Sequence, residues 1–150
     1  MKLGKKNFDA FTELFTTLEH LRGITKIARK SLKKNKRNPG ILKNKKAHVQ
    51  YEPLGIAGII SPWNYPLVTP TTTISEALIT GNNVILKPSE HTPLIMQYLK
   101  KLWDDSTNYK NAFQVIHGGA DVGQMLIKSN NVDIVCFTGS TAVGKTIAKQ

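Results

Sequence analysis

Four short stretches of the chain carry residues with chemistry to offer, and each follows an apolar run. The first is Ile60-Ser61-Pro62-Trp63-Asn64-Tyr65-Pro66. Its two prolines bracket Trp63 and Asn64 and stiffen a short loop. An asparagine held there can donate an amide N–H to a developing oxyanion, worth roughly a few kcal/mol in a transition state. It can equally cap a helix entering at Pro66. The second stretch, Lys87-Pro88-Ser89-Glu90, brings a cation, a hydroxyl and a carboxylate together. Lys87 and Glu90 are the types that hold the vicinal hydroxyls of a ribose. They also suit a solvated turn before a helix at Thr92-Pro93, with proline in its first turn.

The third stretch, His117-Gly118-Gly119-Ala120-Asp121-Val122-Gly123, pairs two glycines that allow close approach of a ligand to the backbone. Asp121 is a natural N-cap for the helix that follows. The fourth is Phe137-Thr138-Gly139-Ser140-Thr141-Ala142-Val143-Gly144, opening a helix. Its hydroxyls and unpaired N–H groups at a helix start suit a pyrophosphate. Extended to Lys145-Thr146, it also satisfies the P-loop pattern of nucleoside triphosphatases. That pattern needs a downstream strand carrying a magnesium-binding Asp, and only four residues follow Thr146. The expectation is therefore against a P-loop.

These stretches must be positioned by regular elements. From Val49 onward, extended and helical segments alternate: strands over 55–61, 83–87, 112–117 and 132–138, helices over 69–80, 93–104, 121–129 and 142–150. Such alternation predicts a Rossmann-like α/β fold, a parallel sheet with helices on both faces. The runs around Val84 and Val135 are near-continuously apolar, as in strands buried on both faces. Ligands in such sheets sit outside the carboxyl ends of the strands, where the four stretches fall. Upstream, Phe8, Phe11, Leu14, Phe15, Leu18 and Leu21 recur at three and four. This spacing predicts a long N-terminal helix over 9–34, stopped by Asn38-Pro39-Gly40, whose apolar stripe docks on something else.

Composition narrows the classes. Residues 1–46 carry 14 Lys/Arg against Asp9, Glu13 and Glu19, whereas residues 47–150 carry seven of each sign. The net +11 belongs to a basic N-terminal helix and linker (1–46), ahead of a neutral domain (47–150). Without interleaved aromatics or a nucleic-acid module, the basic segment reads as a solvated face, not a nucleic-acid interface. No apolar run approaches the length of a membrane span, and no signal peptide is evident. The single cysteine, Cys136, fits a reducing cytoplasm and a small buried strand position. His20, His48, His91 and His117 lack metal-ligand spacing, so no metal is expected.

The four strand ends, in this order, resemble the aldehyde dehydrogenase superfamily over about residues 51–150. The resemblance rests on three stretches in register, 53–66, 81–90 and 137–144. Tyr65, the Ala142-Val143 pair and the Glu52-Pro53-Leu54-Gly55 entry are similar to the branch of class 3 and coniferyl aldehyde dehydrogenases. Glu76 departs from the pattern, in which a small residue is usual.

The resemblance implies that Asn64 is the oxyanion donor and that Ile60, Ser61, Pro62 and Trp63 line the nicotinamide–ribose side of the cofactor channel. It implies that Lys87 and Glu90 bind the adenosine ribose with Ser89 nearby, and that Gly119, Ala120 and Gly123 flank the adenine. Ser140 contacts the pyrophosphate, with Phe137, Thr138, Gly139 and Val143 around it. The cofactor expected is NAD, since a carboxylate at Glu90 repels a 2′-phosphate, with NADP also used in this branch. In the family a cysteine attacks the aldehyde, hydride passes to the cofactor, and a glutamate activates water for hydrolysis to the acid. Both residues lie beyond the glycine stretch, outside this chain. The expectation is a catalytically incomplete part of an enzyme from a truncated or split gene, lacking the catalytic and oligomerisation parts of family members, which are oligomeric. The alternative is a stand-alone nucleotide-binding or interaction protein.

Overall fold

In the computed structural model the described residues are 4–149. Helix α1 spans Asn7–Ser31, followed by strands β1 (Asn35–Arg37) and β2 (Ala47–Val49). Then come β3 (Ile56–Ile60), α2 (Val68–Ile79), β4 (Asn83–Lys87), α3 (Pro93–Ser106) and β5 (Phe113–Val115). The chain continues through α4 (Ala120–Ile127), β6 (Ile134–Phe137) and α5 (Thr141–Ile147). The expected strand–helix units are all present, and their ends differ by a few residues. Gln150, at the expected end of the last helix, lies outside the described residues.

The main sheet is parallel with order β5-β4-β3-β6. Successive side chains of β3 point to opposite faces. Ile59 joins Ile74, Val84, Leu86, Met96 and Phe113 in the core under α2 and α3. On the other face Gly58 presents only backbone, and Leu126 of α4 packs against it. Helices therefore cover both faces. One strand departs from expectation: β6 is the sheet's edge among the described residues, with Ile134 exposed, and is not buried on both sides.

The N-terminal part differs more. The linker contains an antiparallel hairpin, Asn35 opposite Val49 and Arg37 opposite Ala47. Helix α1 stops at Ser31, before Asn38-Pro39-Gly40, as the chain turns into that pairing. Most of the apolar stripe is uncovered among the described residues: Phe8, Phe11, Leu14, Phe15 and Leu18 are exposed, and the Phe11 and Phe15 rings stack with centroids 6.4 Å apart. The face turned to α2 carries buried Glu13, Thr17 and Ala28 instead. Polar contacts fix that choice, including His20 Nε2 at 3.1 Å from Ser75 Oγ. Glu76, the residue out of pattern, is exposed on α2 and so leaves the packing undisturbed.

Candidate functional site

The sheet order creates the site. β3 has β4 on one side and β6 on the other, so the loops leaving β3 and β6 diverge and open a crevice at their carboxyl ends. A cleft of about 660 Å³ lies there, within the range of small-molecule and cofactor sites. Every residue anticipated from the four stretches lines it: Ile60, Ser61, Pro62, Trp63, Asn64, Lys87, Ser89, Glu90, Gly119, Ala120, Gly123, Phe137, Thr138, Gly139, Ser140 and Val143.

At the end of β3, Ser61 is buried, and its hydroxyl has no hydrogen-bond partner among the described residues. Asn64 Oδ1 accepts the Tyr65 backbone N–H at 3.1 Å. That bond uses the side-chain oxygen as acceptor, so Nδ2 is the end with hydrogens to donate. Asn64 is not a helix cap: α2 starts at Val68 behind Leu67, with no local side-chain cap.

At the end of β4, Lys87 is only 5% exposed. A buried ammonium requires partners; its Nζ donates to the Pro88 carbonyl at 3.1 Å and meets the Glu90 carboxylate at 3.4 Å. An ammonium has three N–H donors, so one is left without a partner among the described residues. Glu90 stands at the rim, its side chain 52% exposed. Its carboxyl is held below the ordinary range, first by its backbone N–H and then, against some burial, by Lys87. Ser89 Oγ accepts the His91 backbone N–H at 3.2 Å. Thr92 precedes α3 with Pro93 in the first turn, as expected, although its hydroxyl caps nothing.

At the end of β5, Gly119 rather than Asp121 occupies the N-cap of α4, and Asp121 lies in the first turn, where a carboxylate favours the helix dipole. A Cβ on Gly123 would meet Lys87 Cδ at 3.7 Å and Ile60 Cδ1 at 3.8 Å, so α4 lies in contact with the cleft floor. At the end of β6, the Phe137 ring fills the space beside Gly139, and a Cβ there would stand 2.4 Å from its Cζ. Ser140 caps α5, its Oγ accepting the Val143 N–H at 3.3 Å.

The P-loop arrangement is not formed. Gly144, Lys145 and Thr146 already lie inside α5, Lys145 does not line the cleft, and the Thr146 hydroxyl donates to the Ala142 carbonyl at 3.1 Å. Cys136 stands opposite Ile59, packs against the core and lies outside the cleft lining. Burial, then Glu76, pushes its thiol up, the reverse of an activated nucleophile. No cluster of three metal-ligating side chains occurs among the described residues.

The sequence reading missed Tyr65, Thr69, His91, Gln124, Ile127 and Ile147 in the lining. Some carried a signal. Gln124 and Ile127 lie four and seven residues after Ala120 on one face of α4, and Ile147 lies four after Val143.

Fold and cleft define a class of α/β proteins with a crevice outside the carboxyl ends of a parallel sheet. A family model of the aldehyde dehydrogenase family matches residues 1–150, and the chain belongs to that family. Betaine aldehyde dehydrogenase of Bacillus subtilis is 40% identical over 99 residues, covering 65% of this chain and 20% of the relative. D-glyceraldehyde dehydrogenase (NADP(+)) of Picrophilus torridus is 38% identical over 109 residues, 71% of this chain and 22% of its own. Benzaldehyde dehydrogenase [NAD(+)] of Pseudomonas putida is 36% identical over 102 residues, 67% and 21% of the two chains. Among solved structures, the NAD+ complex of an aldehyde dehydrogenase from Bacillus cereus superposes with TM-score 0.83 at 31% identity, covering 91% of this chain and 28% of that one. A bifunctional proline utilization A protein superposes with TM-score 0.90 at 28% identity, over 97% and 15%. The chain thus spans about a fifth of the length of the curated relatives it matches. No helix among the described residues is long and apolar enough to cross a membrane.

Proposed function

We propose that this chain is the cofactor-binding part of an NAD(P)-dependent aldehyde dehydrogenase, and that alone it binds dinucleotide without oxidising aldehyde. The observation that supports this most is the convergence of all four motif stretches on one cleft of cofactor size. The residues present suit a dinucleotide. The buried Ser61 hydroxyl lacks a partner among the described residues, Lys87 keeps one N–H for a ribose hydroxyl, and glycines line the wall at α4.

In this reading the bound cofactor supplies a hydride acceptor. Lys87 and Glu90 hold the adenosine ribose, with Ser89 beside them. Gly119, Ala120 and Gly123 flank the adenine. Phe137, Thr138, Gly139, Ser140 and Val143 surround the pyrophosphate, and Ile60, Ser61, Pro62 and Trp63 line the nicotinamide side. Asn64 points its Nδ2 amide at the aldehyde oxygen, where negative charge grows during attack on the carbonyl. Attack requires a thiol facing Asn64, and the chain's one cysteine sits in β6 away from the cleft. NAD is the preferred cofactor because the Glu90 carboxylate stands where a 2′-phosphate would come.

Titration calorimetry with NAD tests the proposal. Saturable binding is expected, weakened roughly tenfold or more in Lys87→Met by loss of a charged hydrogen bond. Absence of binding by a folded chain, or NAD(P)H formed from aldehyde by pure chain, would overturn it.

A further inference from the structure

Helix α2 begins without help from its own neighbourhood. Leu67 at the N-cap offers no side-chain oxygen, and a helix start leaves backbone N–H groups unpaired. The missing acceptor comes from α1, more than fifty residues upstream. Glu13 Oε1 accepts the Leu67 N–H at 2.8 Å and the Val68 N–H at 3.0 Å. Glu13 is buried, and its other oxygen pairs with the ammonium of Lys5. A carboxylate at this end of a helix also suits the dipole.

Lys5 extends the link to the loop itself. Its Nζ lies 3.4 Å from the Asn64 backbone carbonyl and 4.7 Å from the centroid of the Tyr65 ring. The Asn64 carbonyl and the Tyr65 N–H belong to one peptide unit, which is planar and rigid. Lys5 holds the carbonyl end of that plane, and Asn64 Oδ1 accepts its N–H end. Where the plane points therefore decides where the Asn64 Nδ2 amide points.

We propose that Glu13 and Lys5 are positioning residues for Asn64: Glu13 fixes the start of α2, and Lys5 fixes the peptide plane that aims the side-chain amide. The inference rests on the reading of Asn64 as the oxyanion donor. It gives α1 a task beyond packing and explains why its polar face, not its apolar stripe, is turned inward.

The test uses the nitrogen-15-labelled 150-residue chain with Glu13→Ala, Glu13→Gln and Lys5→Met. Amide exchange reads the cap, and the Asn64 side-chain amide resonances read the aim. In Glu13→Ala, Leu67 and Val68 should exchange about tenfold faster, the scale of a lost N-cap, and the Asn64 amide pair should move toward its free-peptide position. Lys5→Met should move the Asn64 pair while leaving Leu67 and Val68 within about twofold of wild type. Glu13→Gln keeps an acceptor oxygen and loses the charge pair, so it should reproduce Lys5→Met and rescue the amide protection. Unchanged Asn64 resonances in both Glu13→Ala and Lys5→Met, even with lowered melting temperatures, would reduce the pair to a structural role and overturn the proposal. Should Glu13→Ala fail to fold, Lys5→Met decides alone, because Lys5 is partly exposed. Failure of wild-type chain to bind NAD would sink the cofactor reading while these resonances still decide the clamp.

Discussion

The Lys87 ammonium lies 3.4 Å from the Glu90 carboxylate, one side chain buried at the strand end and the other standing at the cleft rim. In the proposed cofactor reading the pair divides two tasks between binding and discrimination. Lys87 is desolvated and directional, whereas Glu90 presents charge to whatever enters. Replacing Glu90 by Gln should therefore change the choice of nucleotide more than the fold. NADP binding should strengthen relative to NAD by about fivefold, the scale of one partly solvated charge interaction. Parallel titrations with both nucleotides check this, and an unchanged ratio would remove Glu90 from the ribose position.

The same carboxylate leaves a signature in acid. Its folded pKa lies below the ordinary value of 4.5. A depressed carboxyl adds stability that is fully present above the unfolded value and lost as pH falls through the folded one. Urea midpoints between pH 6 and pH 3 should therefore fall less steeply below about pH 4.5 in Glu90→Gln than in wild type. The difference is small because half the side chain is in water. Identical slopes for the two proteins would show that its backbone and Lys87 contacts do not persist in solution.

How much of this was legible in the sequence follows from the range of each interaction. The cleft residues could be found because a parallel sheet delivers every strand's carboxyl end to one side, so local motifs become neighbours. The docking face of α1 could not. Periodicity marks Phe8, Phe11 and Phe15 as one stripe but does not say which side meets α2, and the deciding bonds run from Glu13 to Leu67 and Val68. The hairpin was hidden for a related reason. Asn35, Lys36 and Arg37 are all exposed, so the strand carries no apolar alternation to mark it. For Asn64 the sequence is compatible with a helix cap as well as a donor, and the cap is excluded only by the start of α2 at Val68 behind Leu67.

Cys136 offers a further check. Burial raises its thiol, with Glu76 adding to the shift, so little thiolate is available near neutral pH. Iodoacetamide at pH 8 should modify the native chain at least about tenfold more slowly than the urea-unfolded chain, given a raised pKa and restricted access. Mass spectrometry after timed quenching measures this. Equal rates would mean that β6 is open at its edge in solution. A raised thiol pKa also implies that stability present below the unfolded value declines as pH rises through it, so the melting temperature should drop at alkaline pH less in Cys136→Ala.

The cleft also depends on a residue that never touches it. Gly58 in β3 leaves room for α4: an added Cβ would stand 3.0 Å from Val132 Cγ1 and 3.2 Å from Leu126 Cγ. Those contacts are tighter than carbons usually pack, so a neighbour must give way, and both are held in place, Leu126 in α4 and Val132 by its N–H to the Ser129 carbonyl at 3.2 Å. A larger side chain must push α4 off the sheet. Gly58→Val should therefore cost about 1–3 kcal/mol of stability, the usual scale of overpacking. Because α4 also carries Ala120 and Gly123 into the cleft, the same variant should lose NAD affinity under conditions where it remains folded. Gly58→Ala should show both effects in weaker form, since only one methyl must be accommodated. Chemical denaturation and NAD titration of the two variants measure the pair of effects together. Destabilisation with unaltered NAD affinity would show that the cleft wall does not move with the packing of α4 on β3.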